Sequence, residues 1–339
     1  MAKVNIGLIG VGRIGRKHAD IIAKQVEGAA LHAIAEPHQA TREAFLAEFN
    51  PTPQHVFADW REMVNRPDID AVVICTPTSV HHEHVAGAAA AGKPILCEKP
   101  LALEIATTQL AIAAAEKAGV PLQVGFMRRF DGPQRRMREI IQSGVIGTPV
   151  LLKMSGRDNG CPRTEFASPL VSGGLFVDMA IHDFDQARFL MGCEVVRVSA
   201  EGTLMVCENI RAVGDVDNGV VNLRFDSGAI GNLDVTRTAF YGYDFPDEVM
   251  GSTGAVRVTG WPGPDFHVQI LTSAGVKQET FALPNGRFND SYAAQMQDFV
   301  TRVVGTGAAP AVGGADALKA LQICLAVRQS YQSGVFVAV

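Results

Sequence analysis

With 339 residues, 47% of them apolar and 19% charged, the chain has material for two domains of ordinary size with a substantial core, which argues against disorder. A formal net charge of -5 with no long basic run argues against a nucleic-acid or anionic-membrane partner. No apolar run approaches the ~18 residues of a membrane span. Met1-Ala2-Lys3-Val4 leads into a strand pattern without the ordered regions of a signal peptide, so a cytoplasmic protein is expected. The six cysteines (75, 97, 161, 193, 207, 324) form no C-x-x-C pair and read as reduced thiols, with neither a disulfide frame nor structural zinc.

The first apolar run, Val4 to Ile9, suits a strand buried on both faces. Gly10-Val11-Gly12-Arg13-Ile14-Gly15 follows at once and fits G-x-G-x-x-G; a helix pattern comes next, then a second apolar run, Ala29 to Ala35, ending in Glu36. Strand, glycine turn, helix, strand and terminal acid are the context of a dinucleotide site. Gly10 allows the tight turn, Gly12 lets the backbone approach a pyrophosphate, and Gly15 lets helix and strand pack closely. The helix N-terminus offers N–H groups and a positive dipole end to the phosphates. Glu36 would accept hydrogen bonds from the adenosine ribose hydroxyls and repel a 2′-phosphate. Pro37 and His38 follow it, not an Arg, so NAD is expected over NADP.

The alternation continues with helix 40–48, strand 55–58, strand 71–75, helix 81–91, strand 94–97, helix 104–118 and strand 120–124. Strands alternating with helices imply a parallel, doubly wound sheet, with ligands beyond the carboxyl ends of the strands. Thr76-Pro77-Thr78 and Glu98-Lys99-Pro100 join the glycine turn on that rim. A Lys before a Pro at the end of the buried run Pro94 to Cys97 is unusual. It reads as the point where cofactor and substrate meet. His81, His82 and His84 lack the spacing and thiol or carboxylate company of a metal site; a helix start with one His facing the cofactor is the better reading, and no metal is expected.

After Gly125 the pattern changes. Helix to about 142 and strand 150–155 are followed by runs at 195–206, 219–225, 229–236, 255–259 and 267–271, joined by turns such as Asp226-Ser227-Gly228. These imply a largely antiparallel sheet. Helices 289–304 and 315–333 close the chain. The domains are set at 1–124, cofactor binding, and 125–339, substrate binding and oligomerisation, with helix 315–333 able to pack back on the first. Helices on one face leave the other sheet face bare, so a homo-oligomer is expected. From Phe176 the apolar periodicity is helical, which puts Asp178 and His182 one turn apart on one face, with Asp185 beyond. A carboxylate beside an imidazole suits a general base for an alcohol proton; a helix-capping Asp with a core-edge His fits the pattern equally.

With Gly10 to Gly15, Cys97-Glu98-Lys99-Pro100, Val124-Gly125-Phe126-Met127-Arg128-Arg129-Phe130 and Asp178-x-x-x-His182-Asp183-x-Asp185 in view, the chain resembles the glucose–fructose oxidoreductase/inositol dehydrogenase family (Gfo/Idh/MocA) over its whole length. Gly125 to Asp131 and Tyr241-Gly242-Tyr243-Asp244 are similar to its inositol 2-dehydrogenase branch. The resemblance implies an N-terminal Rossmann domain, a C-terminal α+β domain with a large open-faced sheet, NAD, and a tetramer. It implies a catalytic set of Lys99, Asp178 and His182, and substrate contacts from Lys99, Met127, Arg128, Asp158, Asp178, His182, Asp185 and Tyr241. Cofactor contacts are assigned to Gly10, Gly12, Arg13, Ile14, Gly15, Glu36, Thr76, Pro77, Thr78, His81, Glu98, Lys99 and Gln123. Gly156 stands where some relatives carry a His. The implied reaction is oxidation of one secondary alcohol of a cyclic polyol, myo- or scyllo-inositol, at a site between the domains. A pyranose dehydrogenase, an NAD-dependent glycosidase and a non-catalytic cofactor sensor are the competing readings. Net NADH formation with a free polyol separates a dehydrogenase from the glycosidase, a substrate screen over inositols and aldoses separates the two dehydrogenase readings, and the presence of both Lys99 and His182 weighs against the third.

Overall fold

The computed structural model describes residues 3–49, 53–259, 265–282 and 287–339; Met1 and Ala2 lie outside them. The chain divides into two compact units, Met1–Met127 with Phe288–Leu318 and Arg128–Arg287 with Lys319–Val339. Only the first residues of the helix read at 315–333 return to the first unit, and the rest of the returning segment, 288–314, lies in the stretch that the sequence reading gave to the second domain.

In the first unit the order is β1 (Val4–Ile9), α1 (Arg13–Lys24), β2 (Ala29–Ala35), α2 (Gln39–Glu48), β3 (His55–Phe57), α3 (Trp60–Val64), β4 (Ala71–Ile74), α4 (His81–Ala90), β5 (Ile95–Cys97), α5 (Ile105–Ala118) and β6 (Leu122–Val124). The strands form one parallel sheet, β3-β2-β1-β4-β5-β6. Ile6, Leu8, Ala71, Val73 and Leu96 are buried in its core. Such two-sided burial is why these strands read as continuous apolar runs rather than alternating ones. The order reverses at β1 and β4, where this sheet type opens its ligand crevice.

The second unit contains α6 (Gly132–Gln142), β7 (Pro149–Arg157), α7 (Thr164–Ala167), a π-type turn (Leu175–Met179), α8 (Ile181–Met191), β8 (Val195–Thr203), β9 (Asn218–Phe225), β10 (Ile230–Thr236), β11 (Asp247–Gly251), β12 (Gly254–Thr259), β13 (Asp265–Thr272) and β14 (Gly275–Ala282). Then come α9 (Arg287–Asp298), a second π-type turn (Phe299–Val304), α10 (Gly314–Ser333) and β15 (Val337–Ala338); α9 and the start of α10 belong to the first unit. The sheet order is β14-β13-β12-β11-β7-β10-β9-β8-β15. Its neighbours are antiparallel except β7 and β10, which run parallel. β9 alternates strictly, with Val221, Leu223 and Phe225 buried and Val220, Asn222 and Arg224 exposed, as a sheet covered on one face requires. β11 and β14 escaped the sequence reading: one opens with two acids, Asp247-Glu248, and the other is an exposed polar edge strand without an apolar period.

Two expectations are corrected. Cys161 and Cys207 form a disulfide, with Cα atoms 5.5 Å apart across 46 residues of sequence. Two loops bring them together: Asn209 Nδ2 donates to the Pro162 carbonyl at 2.9 Å, and buried Asp217 accepts the N–H groups of Val206 and Cys207 at 2.6 and 2.7 Å. Missing C-x-x-C spacing excludes a local pair, not one made by tertiary folding. Second, Asp178 and His182 do not lie one regular α-turn apart. Ala180 N–H bonds to Leu175 O at 3.1 Å, an i to i+5 turn, before α8 begins. Gly173 and Gly174, with φ of 91° and 73°, introduce it.

α3, also unforeseen, is locked to α4 by Trp60. A Cβ on Gly87 would overlap the indole, and His84 meets the ring edge-on at 4.9 Å while its Nδ1 contacts the Thr76 hydroxyl at 2.9 Å. Burial, reinforced by the charges of His81, Arg61 and His82, lowers the His84 pKa from 6.5 to about 4. As pH falls between those values the unfolded chain takes up this proton first, so stability falls with pH. The Tm of the native protein relative to His84→Asn should therefore decline across that window and stay level above about pH 7; a pH-independent difference would refute the account.

Candidate active site

The glycine turn tests its cofactor by what each glycine serves. Gly10 has φ +88°, and a Cβ there would meet the Cys75 carbonyl oxygen at 2.9 Å; a Cβ on Gly15 would overlap the carbonyl oxygen of Gly10. Both are demanded by the fold itself. Gly12 is different: its φ is -65°, and an added Cβ would meet nothing within 4 Å. Open space over a glycine that the fold does not require fits a ligand backbone lying against it. Gly12 caps α1 with no side-chain hydrogen bond, leaving first-turn N–H groups for phosphate. Arg13 and Ile14 begin that turn.

Glu36 is buried at the end of β2. Its Oε2 accepts the Val11 N–H at 3.2 Å and its Oε1 the His38 N–H at 3.1 Å, so the acid is fixed beside the glycine turn. Arg42, outside the sequence reading, donates to the Glu36 carbonyl at 2.5 Å.

Thr76, Pro77 and Thr78 follow β4 on the same rim, with Thr78 opening a short 3₁₀ turn. His81 is buried: Nδ1 stands 2.8 Å from the Pro100 carbonyl and Nε2 2.8 Å from the Thr76 carbonyl. Burial lowers its pKa, against those two carbonyls and the Glu98 charge. Its role is to tie the β4 and β5 loops together. The Lys99–Pro100 bond is cis. Beneath it lies Glu98, whose carboxylate meets His18 Nε2 at 2.8 Å. Burial alone would raise the Glu98 pKa; the His18 hydrogen bond and the charges of His18, Lys99 and His81 outweigh it and hold it below the ordinary value. Gln123 is fully buried, with Nε2 directed at the Gln295 carbonyl at 3.4 Å. Met127 packs in the core of the first unit with Leu96 and Cys75.

In the second unit Asp178 lies on the π-type turn and His182 on the first turn of α8. The turn is anchored by a pair that sequence reading missed. Asp215 Oδ1 accepts the Leu175 N–H at 3.0 Å, and Oδ2 takes Arg237 Nη1 at 2.5 Å. Arg237 Nη2 stands 3.9 Å from Asp178 Oδ2. The apolar stripe of α8 is interrupted by two buried acids, and each has its arginine. Asp183 pairs with Arg128, whose guanidinium lies 4.2 Å above the Phe245 ring; burial raises the Asp183 pKa, although Arg128 opposes it. Asp185 takes Arg129 in a two-pronged pair at 2.8 and 2.7 Å. Arg128 and Asp185 thus hold the 128–130 turn to α8. Removing one partner of such a buried pair costs about 3–5 kcal/mol. A Cβ on Gly156 would meet the Asp183 carboxylate at 2.5 Å, which accounts for the glycine there.

The backbone of Asp158 is fixed by the Thr236 carbonyl and the Ala239 N–H, at 2.9 and 3.0 Å. The hydroxyl of half-exposed Tyr241 meets Arg157 Nη1 and Asp244, both at 3.3 Å. Arg157 projects from the face of β7 opposite Gly156, so Tyr241 is tied to the other side of the sheet from Asp183. Among the described residues, His32, His55 and Asp68 come near enough to share an ion. Arg66, however, binds both Asp68 oxygens at 2.8 and 2.7 Å, so the group is an ion-pair network.

The two glycines give opposite predictions. Gly12→Ala should leave Tm within about 2 °C while weakening NAD binding at least tenfold by fluorescence titration, whereas Gly15→Ala should lower Tm by about 5 °C or more. Unaltered NAD affinity in Gly12→Ala would remove the cradle.

Residues 4–126 match the model of the GFO/IDH/MocA oxidoreductase family with an NAD-binding Rossmann fold, and residues 134–257 match the GFO/IDH/MocA C-terminal domain. The chain is 39% identical to a myo-inositol 2-dehydrogenase of Thermotoga maritima over 97% of this chain and 96% of that one. It is 35% identical to the scyllo-inositol 2-dehydrogenase (NAD(+)) of Bacillus subtilis, over 98% and 95% of the two chains. The structure of scyllo-inositol dehydrogenase from Lactobacillus casei with bound NAD(H) and scyllo-inositol superposes with a TM-score of 0.86 at 28% identity, covering 99% of each chain. The glycine turn, the 3-2-1-4-5-6 sheet and the full-length matches agree: the chain belongs to the GFO/IDH/MocA family of NAD-binding oxidoreductases.

Proposed function

We propose that the protein is an NAD-dependent inositol 2-dehydrogenase that oxidises one secondary hydroxyl of myo- or scyllo-inositol to the ketone. The observation that carries this reading is the anchored Asp178–His182 segment, in a chain whose full-length relatives are named for inositol oxidation. The glycine turn and α1 hold the NAD phosphates, and Glu36 receives the adenosine ribose. Bound NAD supplies the hydride acceptor, C4 of the nicotinamide. His182 takes the hydroxyl proton of the substrate. Asp178 orients His182 and stabilises the imidazolium that forms. Lys99 donates to the same oxygen and stabilises the developing alkoxide. The carbon loses a hydride and its oxygen a proton, which leaves a ketone.

An NAD-reduction screen across inositol stereoisomers and aldoses, ranked by kcat/KM, tests the substrate; an aldose ahead of every inositol would overturn it. Lys99→Ala and His182→Ala should each lower kcat by about 10²-fold or more while NAD still binds. Near-normal turnover in either would end its assignment. Glu36→Ser should narrow the preference for NAD over NADP, because the repelling carboxylate is gone and Arg42 is left nearby. We also propose a homo-oligomer formed through the open sheet face, where Val220, Ile230 and Met250 are exposed. Val220→Asp with Ile230→Asp should lower the mass seen by sedimentation velocity, and an unchanged mass would exclude this face.

A further inference from the structure

His18 and Glu98 are 80 positions apart, yet they form a buried polar contact between α1 and the Lys99 turn. His18 has no exposed surface, and Tyr292 meets its ring edge-on at 5.3 Å. Its Nδ1 has no hydrogen-bond partner among the described residues, and its Nε2, facing an acceptor carboxylate, donates to Glu98 Oε1. The other carboxylate oxygen, Oε2, accepts the backbone N–H of Lys99 at 3.3 Å. Gly125 closes the socket: a Cβ there would come within 2.8 Å of Oε2.

This arrangement is not the cheapest way to fill the space. Desolvating a carboxylate costs several kcal/mol, which its hydrogen bonds do little more than offset, and an apolar pair of the same volume would pack there at lower cost. The contact does have directional content. It runs from the helix that opens on the glycine turn, through two side chains, to the backbone of Lys99. Neither side chain takes part in the proton transfer proposed above.

We propose that His18 and Glu98 are a positioning pair that orients Lys99 relative to the glycine turn and α1, so that Lys99 meets the bound cofactor and substrate in one geometry. The inference rests on the assignment of Lys99 to catalysis. It makes His18 act through Lys99, which a double-mutant cycle reads directly.

The cycle combines His18→Leu with Lys99→Ala, with His18→Gln as the variant that keeps a donor. It is read by kcat at saturating NAD and inositol, by KM, by NAD Kd from fluorescence titration, and by Tm. His18→Leu should lower kcat about tenfold or more with NAD Kd and KM within about threefold, and His18→Gln should recover most of the loss. In the Lys99→Ala background His18→Leu should cost nothing further. Loss that adds in full in that background would overturn the pair, as would a weakened NAD Kd with saturated kcat intact, which marks a merely structural contact. Should His18→Leu fail to fold, His18→Asn, whose amide falls short of Glu98, enters the same cycle with the same criteria. Undiminished kcat in Lys99→Ala alone would instead sink the catalytic assignment of Lys99. A large loss in Lys99→Ala with none in His18→Leu sinks only the pair.

Discussion

A parallel sheet puts the carboxyl ends of all its strands on one rim, and in the first unit that constraint gathers the loops of the cofactor side. β1 sits between β2 and β4, so the glycine turn leaves the sheet at the point where strand order reverses. Glu36, Thr76 and Glu98-Lys99-Pro100 follow β2, β4 and β5 and arrive on the same rim for the same reason. What the sheet does not supply is the fine placement of these loops. Polar contacts do that: Glu36 to Val11, His84 to Thr76, His81 to Thr76 and Pro100, and His18 to Glu98. Each ends on a loop rather than within a strand or helix.

The second unit solves a different problem. Its sheet has one covered face, and α8 on that face carries Asp183 and Asp185 where a core helix would carry apolar groups. Buried carboxylates are tolerable only when paired. Arg128 and Arg129 supply the partners, and in doing so fix the turn that enters this unit. Asp215 and Arg237 do the same for the π-type turn that carries Asp178. Asp217, two residues on, accepts the N–H groups that shape the disulfide-bearing loop. The Asp178–His182 segment thus stands on a frame of buried ion pairs, which gives direction where apolar packing alone would leave side chains able to re-pack.

The sequence by itself determined the elements whose signals are local. G-x-G-x-x-G between an apolar strand and a helix, Glu36 after the second strand, the alternation of β9, and Lys99 before Pro100 are each legible within a window shorter than one supersecondary unit, because backbone sterics and burial period act over neighbouring residues. Family likeness then pointed to Asp178 and His182. Tertiary structure alone decided what depends on groups far apart in the chain. It joined Cys161 to Cys207, returned residues 288–318 to the first unit, turned Gln123 inward, and paired Arg128 with Asp183 and Arg129 with Asp185. It also revealed His18 under Glu98 and Arg237 beside Asp178, for which no nearby residue gives a cue. The physical reason is common to all of them: a buried polar group must find its partner wherever the fold brings one, and that partner has no fixed spacing in sequence.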